Sequence, residues 1–311
     1  MVTERLSDNY EAVVIGGGAA GLNGALMLAR MRRSVLVIDA GQPRNAPSPA
    51  VHGLLARDGM SPAELLERGR SEVRGYGGVV MTGEVDRIAR SAADDGDPRF
   101  TVTLADGRST VARRLLVASG LTDELPDIPG LREQWGRDVV HCPFCHGWEV
   151  RDRVIGVLAT TGMAVHQATL FRQLSDDVVF FANTVSLSNE DAARLAKLGV
   201  RVVEGVVSAV ETDGGGITGV RLDDSTVVPC EVVTTTPRMV ARAGFLADLG
   251  LVPVEHPAGV GPHLTADTAG RTEVPGVWAA GNVTDPMAQV GASAAAGAAA
   301  GAQIAADLGV R

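Results

Sequence analysis

Glu11–Leu22 reads EAVVIGGGAAGL, a short apolar run that passes straight into G-x-G-x-x-G at Gly16, Gly18 and Gly21. Strand, glycines and helix in that order are what a dinucleotide-binding βαβ unit requires. Gly16 permits the tight turn, Gly18 lets a pyrophosphate come close to the backbone, and Gly21 lets the helix over about 21–30 pack against the sheet. The start of that helix offers N–H groups and positive potential to phosphates. A second strand over 34–39 (SVLVID) ends in Asp39. There a carboxylate accepts hydrogen bonds from an adenosine ribose and disfavours a 2'-phosphate.

Two further apolar strands end in small residues, 114–120 (RLLVASG) and 277–282 (VWAAGN). Such an ending suits a backbone passing close to a bound group, and equally a core strand that meets a turn. Farther on the βαβ pattern repeats, with strands expected over 153–159 and 177–182 and a helix over 164–174 between them. Its turn, however, reads Ala159-Thr160-Thr161-Gly162-Met163 and has lost the glycine trio. Branched Thr160 and Thr161 hinder a pyrophosphate's approach. The stretch 183–191 after the second strand offers no arginine to a nicotinamide 2'-phosphate. This second unit is expected to bind NADPH poorly.

Just before the repeat lies HCPFCHGWE, residues 141–149, which holds two of the three cysteines in a C-x-x-C with a histidine on each side. Two thiols at this spacing can close a short ring, and a nearby imidazolium or helix N-terminus raises the thiolate fraction that exchanges with disulfides. Zinc is a competing reading, but a structural site wants four converging groups and no second ligand pair follows. A purely structural disulfide is the other, disfavoured without secretory features. Cys230, alone near a strand end, reads as a small buried hydrophobe.

At 311 residues and 45% apolar content the chain is long enough for two domains of usual size. Net charge -9 argues against nucleic acid or an anionic membrane as partner. The polar stretch 1–11 has no apolar core of a signal peptide, so a cytoplasmic protein is expected. The alanine/glycine-rich tail 287–306 is interrupted by Gln289, Ser293 and Gln303, and alanine is too weakly apolar to drive insertion. A buried or cofactor-facing helix suits it better than a membrane span.

The N-terminal G-x-G-x-x-G, the single C-x-x-C at Cys142 and Cys145 inside an inserted second βαβ unit, and the closing glycine-rich helix together resemble the low-molecular-weight thioredoxin reductases over nearly the full chain. His146 after the second cysteine, where the reductases usually have aspartate, is similar to the thioredoxin-reductase-like dithiol oxidases of gliotoxin, holomycin and romidepsin biosynthesis. Those enzymes close disulfides in small natural products and pass electrons through FAD to oxygen, giving hydrogen peroxide. The resemblance implies an α/β fold of two nested Rossmann-like domains: an FAD domain from 1–119 and 241–311, and an inserted redox domain, 120–240, with the C-x-x-C and the degenerate nicotinamide site.

It also implies FAD as cofactor. Gly16, Gly18, Ala19, Ala20 and Gly21 form the pyrophosphate loop, and Asp39 with Ala40 meets the adenosine ribose. Gly41, Gln42, Arg44 and Asn45 follow the cofactor's path, with His52 nearer the flavin. Ser119 and Gly120 match the reductases' strand end. Gly281 and Asn282 match their glycine-aspartate pair, with a neutral amide where an acid is usual. Gln289, Val290 and Ala292, at the start of the last helix, face the flavin pyrimidine, where a positive helix end favours the reduced form.

For chemistry, Cys142 is read as the thiol that forms the mixed disulfide with substrate and Cys145 as the flavin-facing one. His146 is the leading proton acceptor and His141 a second. No metal is expected. The expected partners are a small-molecule dithiol, oxygen and, by resemblance, a second copy of the chain. Two rival functions stay open at this point, an NAD(P)H-dependent thioredoxin or disulfide reductase and a flavin-bound redox sensor.

Overall fold

The computed structural model describes residues 6–91 and 96–310; residues 1–5, part of the polar start discussed above, lie outside the described residues. The helices are α1 (Ala19–Arg30), α2 (Pro62–Gly75), α3 (Pro143–His146), α4 (Ala164–Phe171), α5 (Asn189–Lys197) and α6 (Val290–Gly309). Two compact units divide the chain. The first comprises 1–46, 60–122 and 239–311, and the second 47–59 and 123–238.

In the first unit, strands β1 (Asn9–Ile15), β2 (Val35–Asp39), β3 (Val79–Thr82), β4 (Val85–Ser91), β5 (Arg99–Leu104) and β6 (Ser109–Val117) form one sheet with Val277–Ala279. β3, β2, β1, β6 and Val277–Ala279 run parallel, and β4 and β5 extend β6 as an antiparallel meander. Parallel strands covered on both faces need apolar residues throughout. The central ones comply: Ala12–Val14, Leu36–Val37 and Leu115–Val117 are all fully or nearly fully buried.

One face of this sheet is covered by α1 and α6, whose own contact explains the composition of the tail. A Cβ at Gly297 would lie 1.9 Å from the Ala20 carbonyl oxygen, and one at Gly301 2.4 Å from that of Gly24. Small residues four apart on each helix let the two backbones nearly touch. The tail is therefore a packing helix. Among the described residues no helix is long and apolar enough to cross a membrane.

The second unit carries a five-stranded parallel sheet in the order Arg201–Val203, Val178–Phe181, Ile155–Leu158, Val232–Thr235, Val139–Val140, together with a three-stranded antiparallel sheet over 207–229. The βαβ repeat expected over 153–182 is present, with α4 ending at Phe171, where the Arg172 side chain turns to donate to the Leu198 carbonyl. Both units are Rossmann-like α/β sheets. Segment 47–59 belongs to the second unit although its neighbours in sequence belong to the first. Pro47 is seated where Gly136, at φ +82°, turns; a Cβ there would lie 2.6 Å from the proline ring.

Candidate active site

In the first unit, β1 delivers the chain into the glycine loop. Gly16 adopts φ +106°, and a Cβ on it would sit 2.3 Å from the Ala118 carbonyl oxygen, at the end of β6. Gly21 is equally constrained: its Cβ would lie 1.9 Å from the Gly16 carbonyl oxygen. Gly18 differs, because nothing lies within 4 Å of the Cβ it lacks. The loop thus packs against protein at Gly16 and Gly21 and opens at Gly18. There α1 begins without a side-chain cap, so its first N–H groups remain available to an anion. Gly17 leaves room for Asp39, whose carboxylate accepts from the Gly41 N–H at 3.1 Å and pairs with Arg70 at 3.2 Å. An open glycine turn, an uncapped helix start and an acid at the end of β2 fit the pyrophosphate and ribose of a dinucleotide.

The other residues expected around the cofactor fall in the same unit, apart from His52. The Ser119 hydroxyl donates to the Arg242 carbonyl at 2.6 Å, and Arg44 donates to the Pro286 carbonyl at 2.9 Å. Asn282 uses its amide as a donor, with Nδ2 3.0 Å from the Asp285 carbonyl and 2.8 Å from that of Ala288. These bonds brace the loop that leads to Gln289, the residue before α6. An aspartate has no proton to give to these carbonyls. The Ser293 hydroxyl, in the first turns of α6, is buried without a hydrogen-bond partner.

In the second unit, Val139–Val140 leads to Cys142, which caps α3; Pro143 at its first position fits because no N–H is needed there. The Sγ atoms of Cys142 and Cys145 lie 2.7 Å apart and are not joined in a disulfide. His146 sits four residues after Cys142 and donates its backbone N–H to the Cys142 carbonyl at 3.1 Å. Its ring Nε2 lies 3.1 Å from Ser48 Oγ, while Nδ1 is buried without a hydrogen-bond partner. Burial pushes the His146 ring below the ordinary histidine range; Glu149 opposes that shift and His52 adds to it. A neutral imidazole results, able to accept a proton.

His141 is held differently. Its Nδ1 is 3.1 Å from the Thr235 carbonyl, which can only accept, so Nδ1 carries the hydrogen. His52 joins this unit through segment 47–59: Nδ1 lies 3.3 Å from Asp58 and Nε2 3.4 Å from Glu149. With Phe144, Trp148 and Gly53 these three residues line an open pocket of about 520 Å³. Phe144 and Trp148 are each 66% exposed, the aromatic wall of that pocket. Cys230 is buried, and desolvation, with Glu231 adding to it, pushes its thiol up to about 12, far from any thiolate chemistry at neutral pH.

At the turn of the second βαβ unit, the Thr160 hydroxyl donates to the Thr236 carbonyl at 2.9 Å. A branched side chain stands where a nucleotide loop has glycine. Among the described residues no group of three or more His, Cys, Asp or Glu is arranged to hold a metal ion.

Residues 10–301 match the family described as pyridine nucleotide-disulphide oxidoreductase. The chain belongs to that family. Its thioredoxin-reductase-like members bind FAD, the group the glycine loop and Asp39 fit. The chain is 32% identical over 257 residues to thioredoxin reductase tcpT of Claviceps purpurea, covering 79% of this chain and 78% of that one. Thioredoxin reductase sirT of Leptosphaeria maculans is 29% identical, with 90% and 89% covered. The crystal structure of HlmI superposes with a TM-score of 0.90 at 47% identity, over 98% of this chain and 95% of that one. This pyridine nucleotide-disulphide oxidoreductase is therefore a thioredoxin-reductase-like flavin enzyme.

No motif in the sequence gives a role to Glu149, Phe144 or Trp148, or draws Ser48 and Asp58 to the site. The Pro-Ser-Pro run at 47–49 is the one signal that marks the Ser48 segment as rigid.

Proposed function

We propose that the protein is an FAD-dependent dithiol oxidase that closes a disulfide in a small-molecule dithiol through Cys142 and Cys145 and passes the electrons to oxygen. The observation that carries this reading is the half-buried His146, one turn from Cys142, whose ring is held below the ordinary histidine range. A thiol must lose its proton to attack, and a neutral imidazole takes it where an ionised aspartate is a weak acceptor. The branched turn at Thr160, where a nucleotide loop has glycine, supports the oxidase over an NADPH-fed reductase.

The substrate's body lies in the pocket walled by Phe144 and Trp148. His146 accepts the proton of the first substrate thiol, whose sulfur attacks Cys142 Sγ. In the oxidised enzyme, where the pair is joined, the Cys142–Cys145 disulfide breaks and Cys145 leaves as a thiolate. The second substrate thiol, deprotonated in turn, attacks the substrate sulfur of the mixed disulfide. A substrate S–S bond forms, Cys142 departs, and the two protons end on the enzyme's reduced pair. Gly16, Gly18, Gly21 and Asp39 would hold FAD, which would supply a two-electron path for reoxidising the pair, with oxygen as the acceptor and hydrogen peroxide as the product. The remaining cofactor contacts are assigned to Arg44, Ser119, Gly281, Asn282 and the start of α6 at Gln289, Val290 and Ala292. A cytoplasmic homodimer accompanies this reading.

Flavin absorbance of the anaerobic holoenzyme tests it, with NADPH added to one sample and dithiothreitol to another before air is admitted. The oxidase bleaches with the dithiol alone, then recovers in air and yields peroxide. Rapid bleaching by NADPH sinks the reading in favour of a reductase, and no bleaching by either in favour of a sensor.

A further inference from the structure

The Ser48 hydroxyl has one hydrogen to give. Its Oγ lies 2.7 Å from the Ala50 carbonyl oxygen, which can only accept, so that hydrogen is committed there. Toward His146 Nε2, at 3.1 Å, the same oxygen can act only as acceptor. Nε2 must then carry the ring hydrogen, and in the neutral ring Nδ1 holds the lone pair. Nδ1 is the atom buried without a hydrogen-bond partner. We propose that Ser48 is a positioning residue that fixes His146 as the Nε2–H tautomer and so leaves Nδ1 as the basic nitrogen of the ring.

The placement is built rather than incidental. Pro47 and Pro49 flank Ser48 and restrict its backbone, and Pro47 is seated on the Gly136 turn of the same unit. Groups that orient a working histidine through its other nitrogen set both tautomer and ring direction. His141 carries its hydrogen on the opposite nitrogen, Nδ1, so the two histidines flanking the cysteines are not equivalent. Glu149 and His52 are the titratable neighbours acting on the His146 ring.

The role assigned to the proton rests on the oxidase reading, but the tautomer does not, so the two can fail separately. Nitrogen-15 NMR of the ¹⁵N-histidine-labelled holoenzyme, without substrate, reads the tautomer directly. A protonated Nε2 and an unprotonated Nδ1 on His146 are expected, and a protonated Nδ1 overturns the proposal. Kinetics then read the positioning: Ser48→Ala is expected to lower kcat for dithiothreitol oxidation roughly 10- to 100-fold with KM held, within what a general base contributes. Ser48→Thr keeps the hydroxyl and is expected to restore most of the rate. An Ala variant within about twofold of wild type, or a Thr variant as slow as Ala, overturns the positioning role. Should dithiols fail to bleach the flavin of the wild type, the oxidase reading falls while the NMR result stands.

Discussion

The Cβ that Gly297 lacks would stand 1.9 Å from the carbonyl oxygen of Ala20, so α6 and α1 meet backbone to backbone. The contact ties the last helix of the chain to the helix that opens the glycine loop. Because the obstructing atom is backbone, no rotamer change relieves it.

Gly297→Val is expected to force the two helices apart at a cost of about 2 kcal/mol or more. Thermal unfolding of the holoenzyme should fall by several degrees, and FAD should be lost more readily on dilution. A variant that melts with wild type and retains its flavin would show that the helices are not so closely held.

Asn282 holds the approach to α6 by donating to the carbonyls of Asp285 and Ala288. Replacing it with aspartate removes both donors and sets a negative charge against two carbonyl oxygens. Asn282→Asp is expected to cost on the order of 1–3 kcal/mol and to weaken flavin retention. Asn282→Ser, which keeps one donor, should lie between the two when melting is followed by flavin fluorescence.

Asp97 pairs with Arg113 and with the fully buried Arg114, which also binds Asp307. Burial alone would push the Asp97 carboxyl up, but hydrogen bonds from Arg114 and Arg113 outweigh it and hold the group at about 2. A carboxyl lowered on folding stabilises the protein above its unfolded value near 4, and that contribution is lost as pH falls toward 2. It amounts to about 2 kcal/mol. Asp97→Asn should therefore be less stable at pH 7 and lose less stability than wild type between pH 4 and pH 2. Parallel urea midpoints across that window would contradict the assignment.

These elements divide by how far apart their partners lie in the chain. The glycine loop was legible because its constraints are local: Gly16 must take a positive φ, and Gly21 must pass its own turn closely. The adjacency of His146 to the cysteines was legible for the same reason. Ser48 was not, since it reaches His146 across 98 residues from a loop whose neighbours in sequence belong to the other unit. The contacts of His52, expected nearer the flavin, with Asp58 and Glu149 were likewise not legible, Glu149 lying far away in sequence. Nor did the apolar strand around Arg114 disclose a buried charge, because its partner Asp307 lies 193 residues away.

The acid side of the pH profile tests the electrostatics of His146. The ring acts as acceptor only when neutral, so the thiol step fails as pH falls through its value, which burial places below the ordinary histidine range. Dithiol-driven bleaching should thus persist at pH values where an unperturbed histidine is mostly protonated. Glu149 stabilises the protonated ring, and Glu149→Gln should move the acid limb to lower pH. His52 acts in the opposite sense, so His52→Ala should move it to higher pH. Both variants leave the cysteines and Ser48 untouched, and stopped-flow bleaching at a series of pH values separates a moved limb from a lowered plateau. Limbs displaced in the same direction would show that the two side chains act by reshaping the pocket rather than by their charge on His146.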